Sequence, residues 1–204
     1  MSSANLDAAL KAVAAGRIIV ICGDRLRGGD IDLMIAARHV TPDAINFMAT
    51  HGRGLICLAV TPERAAQLGL TLVNPGTARQ TGRPFARSIE AGHGVSTGIS
   101  AADRAHTVAV AIADGATSAD IHSPGHVFPL IAQSGGVLDR AAACEAAIDL
   151  AIMAGAGDAA VICSILRDDG EMARIDDIGD LIAAHGLAVA DIGDLIAHRE
   201  AAKV

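Results

Sequence analysis

The sequence predicts a single domain in which α-helices and β-strands alternate. The chain has 204 residues, of which 51% are apolar and 19% charged, enough to bury one substantial core and too apolar for disorder. Short β-branched runs alternate with capped, alanine-rich helical segments along its whole length. No shift in composition marks a linker, so residues 1–204 read as one domain.

Leu6, Leu10 and Val13 fall at helical spacing before Gly16, which predicts a helix over residues 4–15. Arg17 to Cys22 is a β-branched strand candidate, followed by a loop rich in charge and glycine from Gly23 to Asp32 and an apolar stretch from Leu33 to Ala37. Thr41-Pro42-Asp43 and Thr61-Pro62-Glu63 are helix starts, a capping hydroxyl followed by proline and an acid, closing near Gly52 and Gly69. Between them Leu55 to Val60 reads as a buried strand, and Asn74 to Pro84 as an exposed loop.

Ser100 caps a turn of helix over Ala101 to Ala105, and Thr107 to Ile112 has the β character of a buried strand. Two prolines and a glycine between Ser123 and Pro129 exclude an uninterrupted helix there. Asp139 to Ala154 is expected to be the longest helix, followed by a strand from Ala160 to Leu166 and a closing helix, strand, helix series. Asp-Ile-Gly-Asp-Leu-Ile-Ala occurs at 177–183 and again at 191–197; two copies are too few for a solenoid and read as two similar helix starts.

Composition excludes several function classes. Three Phe with no Tyr or Trp leave few platforms on which bases could stack. A net charge of -7 with scattered basic residues repels a phosphate backbone, so no nucleic-acid partner is expected. No window approaches the length of a membrane span, and Met1 to Gly16 lacks the form of a signal peptide. Cys22, Cys57, Cys144 and Cys163 form no C-x-x-C pair, as expected of reduced thiols in a cytoplasmic protein.

Four stretches, in order, carry a resemblance: Val40 to Met48 with Gly52-Arg53-Gly54-Leu55-Ile56-Cys57; Thr97 to Ala105; Ser123 to Leu130; and Gly135-Gly136-Val137-Leu138. Together they resemble 3,4-dihydroxy-2-butanone 4-phosphate synthase, the riboflavin-pathway lyase. The resemblance implies an α+β fold, a mixed sheet covered by helices, and a two-fold homodimer with sites at the subunit boundary. It also implies Mg²⁺-dependent conversion of ribulose 5-phosphate into dihydroxybutanone phosphate and formate.

Counted back from Val40-Thr41-Pro42, the family's Arg-Glu-Asn-Glu-Gly-Asp loop falls on Arg27, Gly28, Gly29, Asp30, Ile31 and Asp32, so its metal-binding glutamate is Gly28 here. In the family's Gly-His-Thr-Glu-Ala stretch the second metal ligand becomes Ala143 and the threonine becomes Cys144. The glutamate of its Val-Ile-Cys-Glu strand becomes Ser164. Mg²⁺ demands hard oxygen ligands, and neither Gly28 nor Ala143 has a side chain to offer one.

Asp32, His126 and Cys144 are the catalytic candidates, Asp32 or His126 as acid or base and Cys144 as nucleophile. Arg27, Asp30, Cys57, Ser100, Asp103, Thr107, Arg140 and Ser164 are the substrate-binding candidates. The resemblance puts Arg140 in the phosphate-holding stretch and sends His126 into the facing subunit's site.

Three readings follow. The first is a divergent, metal-independent lyase or isomerase acting on a small polar or anionic carbonyl compound, with no cofactor. The second is the retained Mg²⁺-dependent synthase acting on a phosphorylated substrate. The third is a non-catalytic dimeric partner protein.

Overall fold

The computed structural model describes residues 3–76 and 84–202. Seven strands form one mixed sheet: β1 (Ile19–Asp24), β2 (Asp30–Ala36), β3 (Arg53–Val60), β4 (Ile89–Ala91), β5 (Ile121–Ile131), β6 (Ala159–Ile165) and β7 (Ala188–Asp191). Their order is β4-β5-β3-β6-β2-β1-β7. β1 with β7 and β3 with β5 are parallel, and the other neighbours are antiparallel.

Helices cover both faces: α1 (Ser3–Ala14), α2 (Pro42–Phe47), α3 (Pro62–Gln67), α4 (Ala101–Ile112), α5 (Ala143–Met153), α6 (Gly179–His185) and α7 (Ile192–Ala201). Successive side chains of a strand point to opposite faces, so Ile19 and Ile21 enter one core with α1, α5 and α7, while Val20 and Cys22 enter the other with α2 and α4. A sheet buried on both faces needs continuous apolar strands. Ile-Val-Ile-Cys and Leu-Ile-Cys-Leu-Ala-Val supply them in β1 and β3. No described helix is long and apolar enough to cross a membrane.

Both proline-started helices form as expected, with Thr41 Oγ1 accepting from the Ala44 N–H at 3.1 Å and Thr61 Oγ1 from Arg64 at 3.3 Å. The two heptapeptide copies both lead into helices, α6 through a 3₁₀ turn and α7 through its Asp191 cap. Residues 123–129, barred from helix, lie in β5.

Three local expectations fail. Thr107 to Ile112 is not a strand but the continuation of α4. Ser100 caps the start, accepting from the Asp103 N–H at 3.0 Å, and Ala105, Val108 and Ala111 then fall on one face that meets the sheet. Packing of that stripe outweighs the β preference of Val108, Val110 and Ile112. The segment 139–154 is not the longest helix, because its regular part begins only at Ala143, after a 3₁₀ turn over Gly136–Leu138; α1 and α4 are longer at 12 residues each. The charged loop is shorter than the sequence suggests, because β2 begins at Asp30. Of the exposed loop read at 74–84, residues 77–83 lie outside the described residues.

Candidate functional site

The charged loop folds around one buried carboxylate. Asp24, at the end of β1, accepts from the N–H groups of Leu26 and Arg27 at 3.1 Å each and from Arg27 Nε at 2.9 Å. Its Oδ2 also accepts from the N–H of Ala143 at 2.9 Å. Ala142, which precedes α5, has no side chain able to cap it. The cap comes instead from Asp24 on another strand, which fastens the charged loop to the start of α5.

The Arg27 side chain crosses from Asp24 to Asp32, with Nη2 donating to Asp32 Oδ2 and Nη1 donating to Ser164 Oγ at 3.2 Å. Ser164 Oγ in turn donates to Asp32 Oδ1 at 2.8 Å. Asp32 and Ser164 face each other because β2 and β6 pair antiparallel in that register. Burial pushes the Asp32 carboxyl above its ordinary range, opposed by Arg27 and by the Ser164 hydrogen bond. Burial alone would lower the Arg27 guanidinium, but Asp32 and Asp24 outweigh it and hold the charge more firmly. Asp30, also on β2, takes Arg174 Nη1 at 2.6 Å.

These groups form one wall of a cavity of about 390 Å³. Arg27, Asp30, Asp32, Cys57, Cys144 and Ser164 all line it, so six of the predicted site residues meet there. Sequence reasoning missed the rest of the lining, including Arg53, Leu55, Phe85, Leu130, Ile162 and Met172. Arg53, bracketed by Gly52 and Gly54, carried the one local signal, a charged residue between two glycines. A larger apolar groove of about 620 Å³ adjoins it through Leu55 and Phe85, but holds no carboxylate, thiol or imidazole. The smaller cavity is where acid, base and guanidinium groups converge.

Cys144 does not suit a nucleophile. Its thiol lies 2% exposed at the cavity floor, donates to the Leu130 carbonyl at 3.8 Å, and is pushed well up by burial and by Glu145. The expected help from Arg140 is outweighed. Cys57 is likewise pushed up, by burial first and by Asp32 second. Both read as protonated, apolar lining.

Arg140 is absent from the cavity wall. It is buried, with Nη2 donating to Glu145 Oε1 and, at 3.4 Å, to the Ile131 carbonyl. Glu145 also accepts from the Gln133 N–H at 2.9 Å.

Ser100, Asp103, Thr107 and His126 gather elsewhere, around β4 and the start of α4. Asp103 accepts from Ser96 Oγ and from the Gly98 N–H, each at 3.0 Å, and those bonds hold its carboxyl low despite desolvation. Thr107 Oγ1 accepts from the Ala91 N–H at 3.1 Å. His126 Nδ1 lies 2.9 Å from Glu90 Oε2, with the imidazole half-exposed. None of these four lines the cavity of their own chain.

The comparisons with known proteins point one way. The family model for 3,4-dihydroxy-2-butanone 4-phosphate synthase matches residues 7–198. The chain is 46% identical over 199 residues to the 3,4-dihydroxy-2-butanone 4-phosphate synthase of Pseudomonas aeruginosa, covering 98% of this chain and 54% of that one. It is 47% identical over 196 residues to the riboflavin biosynthesis protein RibBA of Aquifex aeolicus, covering 95% of this chain and 48% of that one. The chain thus spans about half the length of these curated relatives. A crystal structure of a 3,4-dihydroxy-2-butanone 4-phosphate synthase in complex with two magnesium ions superposes with a TM-score of 0.90 at 35% identity, covering 97% of both chains.

The residues present here do not fit a magnesium ion. Gly28 and Ala143 have no ligating side chain, and Gly28 faces open space. Asp32 is engaged by Arg27 and Ser164, and Asp30 by Arg174. Among the described residues no three His, Cys, Asp or Glu side chains gather as a metal site. Residues 1–2, 77–83 and 203–204 contain none of those four types.

Proposed function

We propose, because the chain belongs to the 3,4-dihydroxy-2-butanone 4-phosphate synthase family, that it acts on a small phosphorylated carbonyl compound, converting ribulose 5-phosphate into dihydroxybutanone phosphate and formate. This replaces the metal-independent lyase or isomerase as the first reading: identity of 46% over 98% of the chain to a named synthase supports the family's own reaction. The observation that carries the reading is the convergence of Arg27, Asp32 and Ser164 on one cavity, within the span 7–198 that the family model matches.

Enolising a ketose phosphate requires a base beside the acidic carbon and positive charge beside the oxygen. Asp32 is the base: burial raises its proton affinity, opposed by Arg27 and by the Ser164 hydrogen bond, and those two partners align the carboxylate. Ser164 Oγ, donating to Asp32 and accepting from Arg27, is placed to pass a proton between Asp32 and a bound hydroxyl. Arg27 supplies fixed positive charge at the same wall. Asp30 and Cys57 line the same cavity. A homodimer that brings the half-exposed His126, with its partner Glu90, of one copy to the cavity of the other would give that pair a role that their own chain does not offer.

A second reading keeps the substrate class and drops the metal. It is favoured by Gly28, Ala143 and Ser164, which provide no Mg²⁺ ligand set. Formate release from ribulose 5-phosphate, measured with and without EDTA, separates the readings. Release that vanishes with EDTA supports the metal-dependent synthase, and release indifferent to EDTA supports the same reaction without the ion. Absence of formate, with ribulose 5-phosphate bound but unconverted, overturns the synthase reading and favours the non-catalytic dimer.

A further inference from the structure

We propose that Glu90 is a positioning residue: it holds the proton of the neutral His126 imidazole on Nδ1 and so leaves Nε2 bare, as the proton acceptor that this chain offers to substrate in the cavity of a second copy. The inference rests on the reading of a homodimer that shares its sites and acts on ribulose 5-phosphate.

The backbone delivers His126 to Glu90. β4 and β5 pair antiparallel, but Ile89 lies opposite Val127 and Glu90 lies opposite His122. One step along β4 is thus matched by an excursion of β5 through residues 123–126, and His126 closes that bulge. Bulges re-aim the side chains they carry. Gly125 lets this one lie directly on β4, because a Cβ there would stand 2.2 Å from the carbonyl carbon and oxygen of Ile89. Its N–H donates to Ser88 Oγ at 3.1 Å, which pins the excursion just before the imidazole.

The Glu90 carboxylate is confined from the other side. It rests against Gly98, where a Cβ would fall 1.4 Å from Oε1. Gly98 has φ +80°, and its N–H donates to Asp103 at 3.0 Å, which ties the loop to the start of α4. Glu90 therefore sits between a fixed loop and the His126 ring, with Oε2 at 2.9 Å from Nδ1. Its side chain is 15% exposed against 42% for His126. The carboxylate is the more enclosed of the two, and the imidazole stays open to a partner.

An ionised carboxylate can only accept a hydrogen bond, so the hydrogen shared by this pair belongs to Nδ1. A neutral imidazole has one N–H, and Nε2 then keeps its lone pair. A carboxylate that fixes one ring nitrogen and frees the other is what an imidazole base needs. A pair this exposed adds little to stability, which leaves the orientation of the ring as its use.

Long-range proton–nitrogen correlation spectra of the histidine rings at pH 8, with His126 assigned by its loss in His126→Ala, test the proposal. The unaltered protein is expected to show the Nδ1–H tautomer at His126, and Glu90→Ala to lose that preference. In formate release from ribulose 5-phosphate, Glu90→Ala is expected to lower kcat about 10- to 100-fold with KM nearly unchanged, a part of what a positioned base supplies. It should lower kcat no further in a protein that already carries His126→Ala. An Nε2–H tautomer in the unaltered protein, or losses that add in the double variant, overturns the proposal. If the Nδ1–H tautomer is present and depends on Glu90 but no protein releases formate, the synthase reaction fails and the hold of Glu90 on His126 stands. If formate is released and Glu90→Ala matches the unaltered protein in tautomer and kcat, only this inference fails.

Discussion

The carboxylate of Asp24 accepts the backbone N–H of Ala143 at 2.9 Å, across 119 positions of sequence. One side chain therefore shapes the charged loop, holds the Nε of Arg27 and caps α5. The two segments that line the floor and wall of the cavity are fixed to each other by this contact.

Removal of Asp24 should thus be costly out of proportion to its size. Asp24→Ala strands three N–H groups and takes from Arg27 one of its two carboxylate partners, and is expected to destabilise the fold by about 3–5 kcal/mol. Asp24→Asn, which keeps an acceptor, should cost less. Urea denaturation of the three proteins checks the order, and equal stabilities would refute it.

Arg140 illustrates a residue whose sequence neighbourhood suggests ligand contact while its packing does not. Its buried pair with Glu145 predicts that Arg140→Ala lowers stability by about 3–5 kcal/mol through the stranded carboxylate. The joint replacement Arg140→Met with Glu145→Leu should recover much of that loss. If Arg140→Ala unfolds at the same urea concentration as the parent but raises KM, the phosphate-holding role implied by the resemblance is restored.

Ser164→Ala removes a hydrogen bond that favours the ionised form of Asp32. The Asp32 carboxyl, already raised by burial, should rise further, so activity that needs it ionised should fail at a higher pH as the solution is acidified. A pH profile of kcat/KM whose acidic limb moves upward is the expected result; a limb that stays in place or moves down removes Asp32 as the base.

The thiols should be silent in the native protein. Burial pushes Cys22 and Cys163 up from 9.0 to about 12, and Cys57 and Cys144 are raised as well. Iodoacetamide at pH 8 should label none of these four until the chain is unfolded. The linkage has a definite sign. Below pH 9 both folded and unfolded thiols keep their protons, and the full stability is present. Between about pH 9 and 12 only the unfolded chain loses them, so stability should fall as pH rises through that window. Cys22→Ala should flatten the fall measured by urea denaturation between pH 8 and about pH 10.5.

Much of the fold was legible from local chemistry. Thr41-Pro42 and Thr61-Pro62 place their helices because a capping hydroxyl and a proline act on the adjacent turn. The runs in β1, β3 and β6 announce strands buried on both faces. Thr107 to Ile112 was misread because its β preference is local, whereas the helical stripe of Ala105, Val108 and Ala111 gains only by meeting a sheet built from distant segments. The resemblance named Arg27, Asp30, Asp32, Cys57, Cys144 and Ser164 as candidates, and packing brings these six, but not Ser100, Asp103, Thr107, His126 or Arg140, to one cavity. The resemblance gave Arg53 no role; that side chain reaches the cavity wall from a turn with positive φ and pairs with Asp168, 115 positions away.

The sequence alone determined which residue types exist to do chemistry: it left Gly28 and Ala143 without ligating groups, kept Arg27 and Asp32, and put Ser164 where the family has a glutamate. Tertiary structure decided which of them work together. Cross-strand register set Asp32 opposite Ser164, and burial raised the proton affinity of Asp32 and of the thiols. The Arg140 to Glu145 pair was withdrawn into the interior. Those outcomes depend on dielectric and distance, which arise only when segments far apart in the chain are packed against one another.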